Sequence, residues 1–312
     1  MSRGNGHGAS RGHWLTWVAM VTLSALAVAG CGSESSARPT DKALRHKVSR
    51  IVIVVLENRE YDEIVGRPAA PYINSLIRLS AVAANYHAIA HPSLPNYLAL
   101  TGGSTFRFEG SDCMTCSVSH RNLIDQLTVA GISWRAYMED LPSACSYTQS
   151  SGGYVRRHDP FIYYRDVAAN RARCRSIVPA TELGRDLARR ALPSFVWVSP
   201  SLCHDMHNCG SYAGDRYLRS LLPRILSELG PSGILFLTWD EGETDSGCCS
   251  VAKGGHVLTL IAGPGARVGA RSILPYDHYS LLRTIEDLWG LPRLGSAACP
   301  CTNAMTDLLR AH

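Results

Sequence analysis

The sequence has no marked excess of charge of one sign. Its 312 residues include 31 Lys and Arg and 26 Asp and Glu, which gives a formal net charge of +5. Proteins that bind nucleic acids usually concentrate Lys and Arg on one face, and such a small excess argues against that class. We therefore expect no nucleic-acid partner, whereas a small anionic substrate is compatible with the mild basic excess.

The sequence also lacks, at its N-terminus, an apolar run long enough for an ordinary membrane span. Residues 14–29 form a run of 16, whereas a span needs about 20. Arginines precede this run, and small residues followed by Cys31 end it, as in bacterial lipoprotein signal peptides. We predict that residues 1–30 are a signal peptide, that Cys31 carries the lipid anchor and that residues 31–47 are a flexible tether. The protein would then be held on the outer side of the cytoplasmic membrane. An uncleaved anchor or plain secretion is the alternative.

Cysteine, in contrast, is plentiful. Ten of the 11 cysteines follow Cys31, and in an exported protein an even number predicts up to five disulfides. The Cys113-x-x-Cys116 spacing also suits a zinc or redox pair, although a disulfide is favoured in this compartment. The adjacent Cys248 and Cys249 are expected to bond to different partners.

No internal repeat or second linker interrupts residues 48–312, so one catalytic domain is expected there. Strand and helix patterns alternate, which predicts an α/β three-layer sandwich with a mostly parallel central sheet, helices on both faces and loops stapled by disulfides. The main strands are predicted at residues 51–56, 132–138, 194–199, 233–239 and 257–262. The helices are predicted at residues 71–80, 122–130, 181–191, 214–229 and 279–289. Residues 139–178 show no clear periodicity and contain Cys145 and Cys174, and we interpret them as a loop or cap held by a disulfide. His158 and the neighbouring arginines could touch substrate, but a solvated basic loop is favoured.

Polar residues stand at three strand boundaries. Glu57 and Asn58 follow the first strand, Asp240 and Glu241 follow another, and His256 precedes a third. Ligands of open α/β sheets bind at the carboxyl edge of the strands, where these residues would meet. Oxygen ligands of this kind favour one divalent cation, with Mg²⁺, Ca²⁺, Mn²⁺ and Zn²⁺ all left open. The alternative is a strand that reaches solvent and turns.

Ser93 is the candidate nucleophile. Pro92 and Pro95 restrict the backbone around it, and the following residues read as a helix, so free N–H groups would lie near the serine and could bind phosphate. A cation there would lower the pKa of the hydroxyl, and histidines could donate to phosphate or to a leaving group. The alternative is a Pro-rich loop with an N-capping serine. No Gly-x-Ser-x-Gly element surrounds Ser93, which disfavours a serine acyl hydrolase.

Taken in order, five segments resemble those of the bacterial phosphoesterase family that includes acid phosphatases and phospholipases C, with a fold similar to the alkaline phosphatase superfamily. The segments are IVVLEN at 53–58, HPSLPNY at 91–97, DMH at 205–207, TWDEG at 238–242 and GHV at 255–257. The resemblance spans about residues 48–292. It implies metal ligation by Glu57, Asn58, Asp240 and Glu241 with the Ser93 oxygen, and a phosphoserine intermediate at Ser93.

The same resemblance implies that His207 and His256 act in the phosphate pocket. It also suggests substrate contacts for His204, Asp205 and Asn96, of which the first two lie between Cys203 and Cys209. Because the chain is shorter than the phospholipases and shows no obvious extra C-terminal domain, we expect hydrolysis of small phosphate monoesters. The alternatives are a phospholipase C-like diester hydrolase and a catalytically silent envelope binding lipoprotein.

Overall fold

The computed structural model describes residues 48–311. The chain divides into two units, Met1–Ser36 and Ala37–His312, and the described residues belong to the second. The predicted signal peptide, the lipidation site Cys31 and the whole predicted tether, residues 31–47, lie outside the described residues. Within the described range, no helix is both long enough and apolar enough to cross a membrane.

An eight-stranded sheet forms the centre of this unit, and its strand order is β11-β2-β10-β9-β1-β8-β4-β7. Its strands are β1 (Ile51–Leu56), β2 (Ala81–Ala83), β4 (Trp134–Met138), β7 (Ile177–Pro179), β8 (Phe195–Ser199), β9 (Ile234–Trp239), β10 (Thr259–Ala262) and β11 (Arg271–Ser272). Two short pairs lie outside it, β3 (Tyr86–His87) with β12 (Tyr276–Asp277) and β5 (Ser150–Ser151) with β6 (Tyr154–Val155). Only β10 is antiparallel to its neighbours in the sheet, so the predicted mostly parallel sheet is confirmed.

The central strands are apolar along their whole length because both faces of the sheet are covered. Every residue of β1 and β9 is buried. Ile53 of β1 lies between Trp197 of β8 and Phe236 of β9 in the parallel register, and all three side chains are fully buried. Such continuous runs, rather than alternating ones, are typical of parallel strands between two helical layers.

The helices follow the predicted order. They are α1 (Tyr61–Ile64), α2 (Pro71–Ile77), α3 (Ser93–Gly102), α4 (Leu123–Val129), α5 (Arg165–Ala168), α6 (Arg171–Cys174), α7 (Thr181–Arg189), α8 (Gly210–Glu228) and α9 (His278–Trp289). α3 packs against α9, and α2 packs against α8. The ends of α9 are set locally: Asp277 forms a capping box with Ser280, and Gly290 ends the helix with φ of 67°.

Residues 139–178 contain more structure than the sequence indicated. Besides the β5–β6 pair, they form two 3₁₀ helices, Arg156–His158 and Pro160–Tyr163, then α5, α6 and finally β7 at the sheet edge. The predicted disulfide between Cys145 and Cys174 ties the beginning of this segment to its end.

Five disulfides join the ten described cysteines, in agreement with the predicted number. The pairs are Cys113–Cys116, Cys145–Cys174, Cys203–Cys209, Cys248–Cys249 and Cys299–Cys301. The expectation that Cys248 and Cys249 bond to different partners was wrong, because they bond to each other. Neighbouring side chains point apart in an extended strand, but Cys249 has φ of 61° and lies in a turn, which lets the two meet.

Candidate active site

Three carboxyl groups meet at the carboxyl edge of the parallel strands. Glu57 follows β1, and Asp240 and Glu241 follow the neighbouring strand β9, whose last residue Trp239 pairs in register with Leu56. Their side chains therefore leave adjacent strands at the same level. One oxygen from each carboxylate lies within 4.8 Å of the others. We call these three residues the acidic cluster.

The acidic cluster contains buried oxygens without hydrogen-bond partners. Among the described residues, Oε2 of Glu57, Oδ2 of Asp240 and Oδ1 of the following Asn58 are in this state, while Oε1 of Glu57 contacts Nε2 of His158. Glu57 and Asp240 are fully buried. Buried carboxylates are costly unless a positive charge or a donor satisfies them. These hard oxygen atoms, converging at one place, therefore fit a divalent cation.

The electrostatics of the acidic cluster support the same conclusion. Burial raises the pKa of Asp240 well above its ordinary value, and the charges of Glu57 and Glu241 raise it further. Burial also raises the pKa of Glu241. For Glu57, burial would raise the pKa as well, but the charge of His158 and the hydrogen bonds with His158, Asp240 and Ser93 together outweigh it, and the pKa falls to about 2. The three groups can all be ionised together only if more positive charge is present.

Ser93 is the first residue of α3 and lies against the acidic cluster. Its Oγ donates a hydrogen bond to Oε1 of Glu241 at 3.1 Å. The ring Nδ1 of His91 contacts the second oxygen of the same carboxylate. This bond to Glu241 raises the pKa of His91. A continuous path therefore runs from Ser93 through Glu241 to His91, and His91 was not singled out by the sequence.

His158 corrects the interpretation of residues 139–178. It is buried rather than solvated, with only 3% of its surface exposed. Its Nε2 contacts Glu57, and its Nδ1 lies 3.5 Å from Oδ2 of Asp205. The ring stacks on Tyr97 of α3 at 5.1 Å. The signal in the sequence was the continuous apolar and aromatic run at residues 160–164, which a solvated loop would not carry.

His158 supplies positive charge beside the acidic cluster. Burial by itself would lower its pKa, but the charges of Glu57 and Asp205 and the bonds to them raise the pKa to about 9. The ring is therefore charged at neutral pH and balances part of the negative charge around it. It is a functional candidate, although the sequence favoured a solvated loop for it.

Asp205 lies beside the acidic cluster, as the family resemblance implied, but its contacts are internal. Its carbonyl accepts from the Glu57 N–H at 2.9 Å, which fixes the Cys203–Cys209 loop to the end of β1. Its Oδ1 accepts from the backbone N–H of His207 at 2.8 Å. With its other oxygen near Nδ1 of His158, Asp205 positions that ring.

Among the described contacts, the side chains of His207 and His204 do not join the acidic cluster. His207 is exposed, and its ring bonds to Asn208 at 2.7 Å. His204 bonds to Glu139 at 2.8 Å and stacks on Tyr217 at 4.6 Å. The Cys203–Cys209 disulfide closes the loop that carries both histidines.

Asn96 and His256 also have other partners. The side-chain oxygen of Asn96 accepts from the N–H groups of Ile89 and Ala90, and its amide donates to the Ala90 carbonyl. Asn96 thus fastens the turn that leads to Ser93. The His256 ring contacts the Ala84 carbonyl at 3.0 Å and stacks between two other rings, those of Tyr61 and His87.

Glu60 holds both ends of the loop that follows the acidic cluster. Its Oε1 accepts from the N–H groups of Glu243 and Thr244, and its Oε2 accepts from the His256 N–H at 3.0 Å. Side chains at Gly242 and Gly255 would not fit, because a Cβ atom would lie 2.4 Å and 2.7 Å from Oε1. The loop therefore begins and ends at one carboxylate.

Comparison with known proteins places these features in context. The model of the Phosphoesterase family matches residues 67–292. The phosphatidylinositol-3-phosphatase of Mycobacterium tuberculosis is 32% identical over 90% of this chain and 88% of its own length. The phosphate-repressible acid phosphatase of Penicillium chrysogenum is 31% identical over 80% of this chain and 61% of its own. The haemolytic phospholipase C of Pseudomonas aeruginosa is 23% identical over 74% of this chain and 40% of its own. The chain thus spans about three fifths of the length of the Penicillium chrysogenum phosphatase.

Solved structures share the fold at low sequence identity. A protein of the alkaline phosphatase superfamily from Vibrio parahaemolyticus aligns with a TM-score of 0.53 and 13% identity, covering 82% of this chain and 71% of its own. The C-terminal periplasmic domain of EcEptC from Escherichia coli, in complex with Zn, aligns with a TM-score of 0.51 and 11% identity, covering 85% and 92%. The predicted alkaline phosphatase-like architecture is therefore confirmed.

Proposed function

Because this chain belongs to the Phosphoesterase family and is thus a hydrolase of phosphate esters, we propose that it is a metal-dependent acid phosphatase. It hydrolyses phosphate monoesters through Ser93 and is exported and held at the cell envelope by a lipid on Cys31. One observation carries this proposal. The Ser93 hydroxyl is bonded to Glu241 of the acidic cluster, and the other two members of that cluster, Glu57 and Asp240, have buried oxygens without hydrogen-bond partners among the described residues.

Glu57, Asp240 and Glu241 would hold the cation, and the oxygens of Asn58 and Ser93 are further ligands within the same group of residues. When bound, a divalent cation neutralises charge on the phosphoryl group and lowers the pKa of a neighbouring hydroxyl. The EcEptC domain that shares this fold was solved with Zn, which keeps zinc among the four candidate metals.

The serine provides the nucleophile. Ser93 Oγ forms a bond to phosphorus as the bond to the leaving oxygen breaks, and that oxygen departs as the alcohol with the proton given up by the serine. Water then hydrolyses the phosphoserine to serine and inorganic phosphate. Glu241 is placed to accept the serine proton at 3.1 Å, and His91 steadies that carboxylate from its other oxygen. His204, His207, His256 and Asn96 have no step in this scheme, since their side chains are engaged elsewhere.

Monoesters are favoured because the relatives named phosphatases match this chain at 31% and 32% identity, above the 23% of the phospholipase C. A phospholipase C-like diester hydrolase is the second candidate, since that relative still matches 74% of the chain. Turnover of p-nitrophenyl phosphate, phosphatidylinositol 3-phosphate and phosphatidylcholine by one preparation separates the two. Release of phosphocholine without monoester hydrolysis would favour the second candidate.

The decisive experiment is hydrolysis of p-nitrophenyl phosphate by the wild type and Ser93→Ala, each after chelation and after addition of single metals. Ser227→Ala, on the exposed surface of α8, is the matched control. We expect that activity is lost in Ser93→Ala alone among the variants, and that one cation restores the chelated wild type. Full activity of Ser93→Ala would refute the assigned nucleophile.

Export and anchoring are tested separately from catalysis. The lipoprotein signal pattern before Cys31 and the five disulfides support this part of the proposal. In cells that express the full chain, the wild type should fractionate with membranes and Cys31→Ala should not. Mass spectrometry of the N-terminal peptide should show a diacylglyceryl group on Cys31, and an unmodified Cys31 in the mature protein would contradict the anchor.

A further inference from the structure

A loop lies over the beginning of α3, on both sides of the nucleophile. The N–H of Gly110 donates to the carbonyl of His91 at 2.8 Å. The N–H of Leu94 donates to Oδ1 of Asp112 at 2.9 Å. Ser93 lies between these two bonded residues. The donor next to Ser93, which the sequence suggested for phosphate, is therefore occupied by a carboxylate of the protein itself.

The second oxygen of Asp112 faces an arginine. Nε of Arg157 lies 3.2 Å from Oδ2 of Asp112. That nitrogen is buried, yet it makes no hydrogen bond of good geometry with any described residue. Arg157 directly precedes His158, so the 3₁₀ helix that brings His158 to the acidic cluster also brings this guanidinium to the start of α3. A backbone N–H at a helix start and a guanidinium are the donors that bind phosphoryl groups in many proteins.

The same place adjoins the acidic cluster. Glu57 is fully buried, its Oε2 has no hydrogen-bond partner among the described residues, and it interacts with the Ser93 side chain. A cation that satisfies this oxygen would thus lie beside Ser93, the residue that precedes Leu94 in α3. The carboxylate of Asp112 lies where an anion would contact the Leu94 N–H and the Arg157 guanidinium.

Asp112 differs from the neighbouring acids in its access to water. Its side chain is 27% exposed and that of Arg157 is 20% exposed, whereas Glu57 and Asp240 are fully buried. Asp112 can therefore move into solvent and be rehydrated, but the buried acids cannot without large cost. From these contacts we infer that Asp112 holds the place of the substrate phosphoryl group, and that Leu94 N–H and Arg157 bind that group after Asp112 leaves. This inference rests on the proposed phosphatase site and assigns its anion-binding groups.

A purely structural role for Asp112 makes a different prediction. The N-cap residue of α3 is Pro92, which offers no side-chain cap, so Asp112 could simply cap the helix. Loss of a cap lowers stability and leaves phosphate affinity unchanged. Removal of a competitor raises phosphate affinity, because the apparent dissociation constant falls as the competent fraction increases.

The test measures binding of inorganic phosphate to the full chain by titration calorimetry, with the cation that supports activity or Mg²⁺ if none does. Asp112→Asn keeps an oxygen acceptor for Leu94 but removes the charge, and we expect phosphate affinity to rise about tenfold. Glu109→Gln is the matched control, since this acid lies on the same loop but bonds to Thr105. Unchanged or weaker affinity in folded Asp112→Asn would overturn the inference. Asp112→Ser serves in its place if Asp112→Asn does not fold.

Arg157 is tested by the opposite effect. Arg157→Lys should weaken phosphate binding about tenfold, because lysine cannot present the planar pair of donors. Arg156→Lys is its control, since the Arg156 guanidinium lies over the Tyr163 ring at 5.0 Å. Affinity equal to the wild type in Arg157→Lys would also refute the inference.

Failure of the inference and failure of the proposed function are distinguishable. Monoester hydrolysis by the wild type, with no change of phosphate affinity in Asp112→Asn, would refute only the role of Asp112. Absence of hydrolysis by any variant with any metal would refute the proposed function, while tighter phosphate binding by Asp112→Asn would still support the anion site.

Discussion

Cation binding at the acidic cluster should release protons. Burial and the charges of Glu57 and Glu241 raise the pKa of Asp240 well above its ordinary value, and burial raises that of Glu241, so without a cation Asp240 holds its proton to higher pH than an ordinary aspartate. A cation requires the ionised carboxylate and displaces that proton. We expect a net release of protons when the cation binds at pH 6, most of it from Asp240, and an affinity that rises with pH.

Titration calorimetry measures this release directly. The same cation is titrated at pH 6 into buffers of different ionisation enthalpy, and the slope of the observed enthalpy against buffer enthalpy gives the number of protons released. Asp240→Asn should bind more weakly and release close to none. Glu286→Gln is the control: Glu286 is also a buried acid of raised pKa, but it lies on α9 outside the acidic cluster, so this variant should match the wild type.

Two results would refute this reasoning. Binding of the cation by the wild type at pH 6 with no proton exchange would mean that Asp240 is already ionised in the metal-free protein. An unchanged proton release in Asp240→Asn would mean that the proton comes from another group. Either result would mean that the cation does not bind in the way proposed for the carboxylates of the acidic cluster.

Three further predictions concern stability. Burial raises the pKa of Glu286 from 4.5 to about 8, so the native state holds this proton more tightly than the unfolded state and loses stability as pH rises between those values. Glu286→Gln mimics the protonated acid, so its free energy of unfolding in urea should exceed that of the wild type by about 1–4 kcal/mol at pH 8 and should equal it at pH 4.5. Equal free energies of unfolding of variant and wild type at both pH values would contradict the assignment. Leu235→Ala, at a fully buried position of β9, should cost about 2–5 kcal/mol in urea unfolding, and a loss below about 1 kcal/mol would contradict the packing. His158→Asn leaves the carboxylates of Glu57 and Asp205 without their positive partner and should cost about 3–5 kcal/mol in metal-free protein; an unaltered melting temperature would exclude the buried pair.

The sequence predicted the features that depend on local pattern. The apolar run at residues 51–56 became β1 with the same bounds, and Asp277 and Gly290 bound α9 as their residue types indicated. Glu57 and Asp240 could be placed together because parallel strands end at one edge. The antiparallel strand β10 begins at the same edge, so His256, which precedes this strand in the chain, also lies at that edge.

The direction of each side chain could not be predicted in the same way. A strand end fixes where a residue lies, whereas the orientation of the ring depends on contacts between segments distant in sequence. His256 therefore turns toward Tyr61, and His207 remains exposed. His158 shows the opposite case, because it enters the site from a segment without periodicity and is held by residues more than 40 positions away in the chain.

The two ends of the loop after the acidic cluster are bonded to the same side chain, that of Glu60. A segment pinned in this way can be lengthened, shortened or exchanged at its tip without moving the residues that flank it. The tip of this loop, residues 249–251, lies between Cys248 and Ala252, which bond to each other through their backbones, and it therefore offers a grafting position for altering this enzyme. New sequences can be tried there while Asp240 and Glu241 keep their places.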